Sequence, residues 1–264
     1  MKKIKIKRFF ELALCFVLIC FSFMFVSCEK SNDGDGDSPN NTKTTVTVST
    51  YEELKEAVNG SADIIKLTKD IDIRREDMND KEFFVFDRKL TLDLNGKKIY
   101  STQNITGKNN GNDAMIEING NGNVTIKGNG KVFANKDDAY AVQVSNGGKL
   151  VIESGEFVGN RNCVYVHYGS LEIKGGKFRI LQIEQDKTFD LETNMSGYGF
   201  VLNFNKVNIS NCTITVKGGE FENFNPEKNI SGGNNTNYLA SGYKSVLDEN
   251  STSSKKIYKV VVNN

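Results

Sequence analysis

The side chains best placed to contact a ligand belong to four short apolar segments between residues 114 and 204. The clearest segment is Val164–Tyr168, in which apolar and polar residues alternate. Because side chains alternate across a β-strand, inward valines would direct Tyr165 and His167 outward. We predict that His167 shares one outward column with the polar residues of the other segments, Glu117, Gln143 and Asn203. A polar stripe beside an aromatic side chain would suit shallow glycan binding, and the alternative is an ordinary hydrated strand face.

The same part of the sequence offers little for catalysis or metal binding. His167 is the only histidine, so it cannot belong to a cluster of histidine ligands. Asp137-Asp138 is the only adjacent pair of aspartates, and Arg161 is a possible base. No acidic cluster stands at an equivalent position in the neighbouring segments. We therefore predict no catalytic residue, no metal site and no cofactor.

A recurring sequence motif, called the phrase below, follows each of these segments. The strand and turn that it forms must hold the segments in position. The phrase alternates apolar and polar residues, reaches a glycine and then a phenylalanine, which predicts a strand followed by a sharp turn. The full copies are Leu150–Phe157, Leu171–Phe178 and Ile214–Phe221. The looser variants are Val124–Phe133 and Leu90–Gly96. The phenylalanines that we predict to stack in the interior are Phe133, Phe157, Phe178 and Phe221.

Two short strands per repeat, with turns between them, describe one layer of a parallel β-helix. No single layer can bury its apolar face alone, so stacking supplies the neighbours. The polar insertions Ser101–Asp113 and Gln182–Ser196 interrupt the repeat, and we expect loops there. Insertions of this kind often line the binding side of a repeat protein, so Gln182–Ser196 is the expected source of specificity.

The two cysteines of this region occupy different places in the repeat. Cys163 lies eight residues before Leu171, whereas Cys212 lies two before Ile214, and neither belongs to a C-x-x-C pattern. We predict two buried free thiols rather than a disulfide.

A short helix is predicted near the start of the repeat region. Thr50 and Glu53 have the spacing of a capping box, and Gly60 is a suitable stop. Leu54, Ala57 and Val58 would share one apolar face, which could cover the open end of the stack.

The first 27 residues form a leader with a basic start and a long apolar core. Its end, Phe25-Val26-Ser27-Cys28, resembles the bacterial lipobox. The resemblance implies that Cys28 is diacylated and becomes the new N-terminus, so that the lipid bilayer is a partner of the protein. The alternatives are an ordinary secretory signal or a single membrane span, with Cys28 incidental.

Residues 28–45 are polar and acidic, which predicts a flexible tether. An acidic run directly after the lipid-bearing cysteine resembles the export signal of surface lipoproteins in gut commensal bacteria. That resemblance implies a location on the outer face of the outer membrane. Without the leader the chain holds 29 basic and 32 acidic residues, and this balance argues against a nucleic-acid partner.

The opening and the end of residues 46–262 carry a family resemblance. They resemble the pectate-lyase-like right-handed β-helix proteins of bacterial surfaces, which implies an all-β, single-stranded right-handed parallel β-helix with a short N-terminal capping helix. The segments that carry the resemblance are Thr50–Ala57, Ile65–Ile71, Leu90–Gly96, Asn237–Val246 and Ile257–Val262. The resemblance indicates architecture far more than activity, because one fold hosts many functions.

We hypothesise a non-catalytic, lipid-anchored surface protein that acts as an adhesin or contacts a polysaccharide or host glycan. The competing hypothesis is a polysaccharide lyase or glycoside hydrolase of the same fold. A hydrolase would need two carboxylates about 5–10 Å apart beside a groove. Stacked charged residues meet that distance anywhere on a β-helix, so spacing alone does not decide between the two.

Overall fold

The computed structural model describes residues 42–73, 84–101, 114–134, 139–181, 199–232 and 235–264. The leader, Cys28 and most of the tether lie outside these residues, so the predictions made for them stay predictions. Within the described ranges, no helix combines the length and the apolar character needed to cross a membrane.

The described residues are mostly β-strand, with one α-helix and one 3-10 helix. The helices are α1 (Tyr51–Asn59) and a 3-10 helix at Lys206–Asn211. The strands of the first half are β1 (Thr45–Val48), β2 (Ile64–Leu67), β3 (Ile71–Asp72), β4 (Phe84–Phe86), β5 (Lys89–Asp93), β6 (Lys98–Ser101), β7 (Ala114–Asn119), β8 (Asn123–Lys127), β9 (Lys131–Ala134) and β10 (Tyr140–Ser145). Those of the second half are β11 (Gly148–Ile152), β12 (Glu156–Gly159), β13 (Val164–Val166), β14 (Gly169–Ile173), β15 (Lys177–Ile180), β16 (Leu202–Phe204), β17 (Cys212–Val216), β18 (Glu220–Glu222), β19 (Tyr243–Leu247) and β20 (Ile257–Val262).

These strands form three sheets to which successive repeats contribute in turn, so a complete repeat holds three strands and not the two predicted. The first sheet has the order β1-β2-β5-β8-β11-β14-β17, the second β16-β13-β10-β7-β4, and the third β19-β20-β18-β15-β12-β9-β6-β3. Pairing is parallel throughout, apart from the antiparallel pairs β18–β20 and β19–β20. The strands of one repeat are called a layer below. The prediction of a mostly parallel all-β protein is confirmed, and the strand order is compatible with a β-helix.

The recurring phenylalanine forms a stack inside the protein. Phe157, Phe178 and Phe221 are fully buried and lie at matching positions of β12, β15 and β18. The ring centroids of Phe157 and Phe178 are 5.3 Å apart, and those of Phe178 and Phe221 are 5.0 Å apart. Interplanar angles of 10° and 11° make both contacts parallel stacks. This part of the aromatic prediction is confirmed.

The prediction is wrong for Phe133, which points away from the interior. Val132 pairs with Phe157, so Val132 takes the buried place in this layer. The looser copy carries two more residues before its phenylalanine than the full copies do. The turn takes up one of them, because Lys131 pairs with Glu156, so Phe133 falls one position later in its strand and on the opposite side. The Phe133 ring instead lies under the Lys131 ammonium, with 5.0 Å from Nζ to the ring centroid.

The predicted helix forms as α1, and its ends are held by side chains. Thr50 Oγ1 accepts a hydrogen bond from the backbone N–H of Glu53 at 3.2 Å. The Glu53 carboxylate reaches back to Ser49, accepting from its N–H at 2.6 Å and its hydroxyl at 2.9 Å. These bonds lower the pKa of Glu53. The predicted inner face is buried, with Tyr51 added to it.

Arg88 fixes the C-terminal end of α1 to the body of the protein, which the sequence pattern did not predict. Its guanidinium donates to the carbonyl oxygens of Ala57, Val58 and Ala62 at 2.9, 3.1 and 2.7 Å. Carbonyls at the end of a helix have no partner within the helix, so a side-chain donor stabilises them.

Both cysteines are free, as predicted, but only Cys163 is buried as predicted. Cys163 is buried directly before β13, and its thiol lies 3.1 Å from the Phe157 carbonyl oxygen. Cys212 begins β17 in the first sheet and is half-buried. Burial raises the pKa of both thiols, which keeps them protonated and unreactive.

The C-terminal hairpin β19–β20 ends the third sheet by pairing antiparallel with β18. The Asp248 carboxylate, directly after β19, pairs with the Lys259 ammonium of β20. Asp248 also accepts hydrogen bonds from the backbone and side-chain N–H groups of Asn250 at 2.9 and 3.0 Å. The Lys259 hydrogen bond and these Asn250 bonds lower the pKa of Asp248 to about 2.

We predict that Asp248 makes the fold sensitive to acid. A folded pKa below the ordinary value of 3.8 gives stability that is present above pH 3.8 and is lost as the pH falls towards 2. Unfolding free energies measured from pH 6 down to pH 2 should therefore fall more steeply for the parent than for Asp248→Asn. Equal slopes would show that the pair does not stabilise the hairpin.

Candidate functional site

The register of the second sheet brings Glu117, Gln143 and Asn203 into one outward column, as predicted, but with Tyr165 in the place expected for His167. Gln143 pairs with Glu117 on one side and with Tyr165 on the other, and Tyr165 pairs with Asn203. Tyr165, not His167, is therefore the member of the column that β13 supplies. Side-chain alternation correctly predicted that both residues face outward. It could not set the register, which depends on the length of the turn before β13.

His167 is the next outward residue after Tyr165, two residues further along the chain, and lies outside that column. Its backbone N–H donates to the Val144 carbonyl oxygen at 2.8 Å, which places it next to Ser145. Asn119 pairs with Ser145 in the same row, so a second, parallel column runs beside the first. His167 still borders the column, because its ring centroid is 6.3 Å from that of Tyr165.

The first two members of the column are largely shielded from solvent. Glu117 is only 8% exposed and Gln143 only 7%. The Glu117 carboxylate accepts a hydrogen bond from the Ser145 hydroxyl, the kind of partner that a buried charge requires. Tyr165, His167 and Asn203 are half-buried. The accessible part of the stripe is thus its aromatic half.

Tyr140 joins this aromatic half, although the sequence pattern did not single it out. Its ring centroid is 5.3 Å from that of Tyr165, with an angle of 49° between the rings. Tyr140 lies two residues before Val142, which faces the interior, so alternation alone would place it on the inner side. Because it is the first residue of β10, it stays half-buried. Its place as the first residue of an apolar strand was the available signal. Tyr140, Tyr165 and His167 are called the aromatic platform below.

Three polar groups around the platform make no side-chain hydrogen bond to another described residue. They are the Gln143 amide, the Tyr165 hydroxyl and the His167 ring. Burial raises the pKa of Tyr165, so its hydroxyl remains a neutral donor and acceptor at ordinary pH. Tyr165 and His167 are half-buried and so within reach of a ligand, whereas only 7% of Gln143 is exposed.

Asn203 is held in place at the edge of the same face. Its Nδ2 donates to Asn162 Oδ1 at 3.1 Å, and its Oδ1 accepts from the Phe204 N–H at 2.9 Å. Asn162 Oδ1 also accepts from the Phe200 N–H at 3.0 Å. These bonds fix the Asn203 side chain and use one of the two hydrogens of its amide nitrogen.

A groove of about 520 Å³ lies elsewhere, where the chain turns from the first sheet into the third. Its floor is the glycine turns of successive layers, and its charged wall alternates in sign through Glu156, Lys177 and Glu220. Lys131 lies 2.9 Å from the Glu156 carboxylate, and Lys177 lies 3.1 Å from that of Glu220. Ion pairs between layers thus occupy the charges of this groove.

Other predictions about the site fall partly outside the described ranges. Asp137-Asp138, the Gln182–Ser196 insertion and all but the first residue of the Ser101–Asp113 insertion lie outside them. In the part of the chain that the structure describes, no group of three or more His, Cys, Asp or Glu side chains is close enough to hold a metal ion.

Comparison with known protein families, with functionally described proteins and with solved structures finds no significant match to this chain. The function must therefore be argued from the residues themselves.

Proposed function

We propose that this protein is a lipid-anchored cell-surface β-helix that binds glycans without cleaving them. The observation that carries the proposal is the aromatic platform, with its unsatisfied polar groups, on an outward sheet face. Sugar-binding sites combine an apolar ring surface with a few hydrogen-bonding groups that fix orientation, and aromatic side chains with polar tips supply both.

The fold that we propose is the single-stranded, right-handed parallel β-helix of the pectate-lyase-like proteins. Three observations support it: each layer gives strands to sheets in a constant order, the pairing is parallel, and aligned phenylalanines stack between layers. Parallel strands joined by short crossovers are right-handed in nearly all proteins, which supports the hand.

The proposal of binding without cleavage is supported by the state of the carboxylates near the platform. Hydrolysis of a glycosidic bond needs an acid and a second carboxylate on either side of it. Within the described residues, Glu117 is the carboxylate of the column, and it is buried against Ser145. Glu156 and Glu220 in the groove are the other candidate pair of catalytic carboxylates, but both form ion pairs with lysines there.

We predict that Tyr165→Ala weakens glycan binding about tenfold, because an aromatic contact contributes roughly 0.5–1.5 kcal/mol beyond its area and 1.4 kcal/mol is tenfold. The assay is a glycan array probed with the full chain in a non-glycosidic detergent, followed by a reducing-end and unsaturated-product assay on each polysaccharide that binds. Tyr100→Ala is the matched control, because Tyr100 is a half-buried tyrosine of the third sheet. Product formation at enzymatic rates would overturn the non-catalytic proposal.

The anchoring part of the proposal rests on Cys28. We predict that Cys28→Ser releases the protein from the membrane fraction and abolishes acyl labelling, because the thiol is the proposed attachment point. Each buried methylene of an acyl chain contributes about 0.8 kcal/mol, so losing the chains should remove stable binding. A Cys28→Ser protein that still sediments with membranes after carbonate extraction would contradict the lipoprotein assignment.

A further inference from the structure

The outward face of the second sheet carries almost no charge. Its paired positions in the described residues hold a single ionisable acid, Glu117, which the Ser145 hydroxyl already engages. Lysine and arginine occupy none of them. The outward residues in the two columns are Val85, Glu117, Gln143, Tyr165 and Asn203, and beside them Asn119, Ser145 and His167.

The third sheet of the same molecule differs in this respect. Its outward positions include Lys131, Lys177 and Arg179, together with glutamates that pair with them. Among the described residues, lysine and arginine thus occupy paired positions of the third sheet but none of the second.

Acidic sugars are usually held by a lysine, an arginine or a bound metal ion, and the paired positions of the second sheet hold no lysine or arginine. Carboxylate and sulfate groups are recognised by arginine, lysine or a bound calcium ion. A sugar acid placed against the platform would lose its hydration without gaining a charge-assisted bond, and such desolvation is costly. Hydroxyl groups, by contrast, match the neutral donors and acceptors of Gln143 and Tyr165.

Resting on the proposed glycan-binding function, we infer that the aromatic platform binds neutral sugar units and not uronic or sulfated ones. The sugar ring packs its apolar C–H face on Tyr165, flanked by Tyr140 and His167. The Gln143 amide and the Tyr165 hydroxyl bond to ring hydroxyls, and Asn203 supplies its remaining N–H at the edge of the site.

The test compares neutral with acidic oligosaccharides of equal length. The full chain in a non-glycosidic detergent is titrated with cello-, malto- and galacto-oligosaccharides and with oligogalacturonate and sulfated oligosaccharides, at about 50 and 500 mM NaCl. We expect a neutral probe to bind with an affinity that changes less than about twofold with salt, because screening acts on charged pairs. We expect Tyr165→Ala to lose about tenfold in that affinity and Tyr100→Ala to keep it.

The other outcomes separate a failure of the inference from a failure of the proposed function. Preferential binding of an acidic probe, weakened by salt and by Tyr165→Ala, would overturn the inference and leave glycan binding at the platform standing. Neutral binding that Tyr165→Ala does not change, with both variants folded by circular dichroism, would move the site away from the platform and overturn the inference. Failure of all probes to bind would overturn the proposed function and this inference with it.

Discussion

Replacing Phe178 with alanine is expected to destabilise the protein by about 3–5 kcal/mol, the usual cost of removing a buried phenylalanine. Phe178 is the middle ring of the stack, with Phe157 at 5.3 Å and Phe221 at 5.0 Å. Its removal therefore leaves a cavity between two layers and unstacks two neighbouring rings. Urea denaturation followed by circular dichroism would measure the loss.

Phe133→Ala is the matched control, because it removes the same side chain from an equivalent phrase of the repeat. The Phe133 ring faces outward and contacts Lys131, so its loss should cost about 1 kcal/mol or less. A Phe133 variant that unfolds as readily as Phe178→Ala would mean that the interior and exterior of this layer are exchanged.

A double-mutant cycle on Phe178 and Phe221 separates stacking from burial. Aromatic pairs contribute roughly 0.5–1.5 kcal/mol beyond buried area, so the two losses should not add. Phe178 and Phe133 do not touch in the stack, and their losses should add. Additive losses for Phe178 and Phe221 would contradict the stacked geometry.

The local sequence pattern predicted much of this fold because each repeat places apolar, polar and turn residues in nearly the same order. Alternation gave the correct inward and outward sides of β13, and the capping spacing gave the start of α1. Both features depend on neighbours within a few residues. The Phe178 stack could also be predicted, because identical phrases place identical side chains at equal offsets.

The features that the sequence did not predict depend on how layers are aligned. Phe133 lies one position later in its strand than Phe157 does, which turns its ring outward. The turn before β13 brought Tyr165 rather than His167 level with Gln143. Arg88 reaches carbonyl groups 26 to 31 residues earlier, a distance that no local pattern encodes. Burial of Glu117 likewise depends on surroundings from other layers.

The paired glycines of the repeat connect sequence with layer spacing most directly. Two of the three full copies have such a pair, and its second glycine, Gly176 or Gly219, has a φ of 107° or 105°, a conformation that side chains disfavour. The first glycine has a different reason to be small. A Cβ on Gly218 would lie 2.2 Å from the Lys174 carbonyl oxygen of the previous layer, and one on Gly175 would lie 2.5 Å from that of Glu153.

Gly218→Ala is therefore expected to cost about 3 kcal/mol or more, at the upper end of overpacking effects, because the obstructing atom is backbone and cannot rotate away. Gly147→Ala is the control: Gly147 has a φ of 93°, yet an added Cβ would meet nothing within 4 Å. Its cost should be only the conformational one, about 1–2 kcal/mol. Comparison of the two unfolding free energies isolates the contact between layers. If Gly218→Ala proved no more costly than Gly147→Ala, the layers could separate at this turn, and close stacking would not explain the repeated glycine pair.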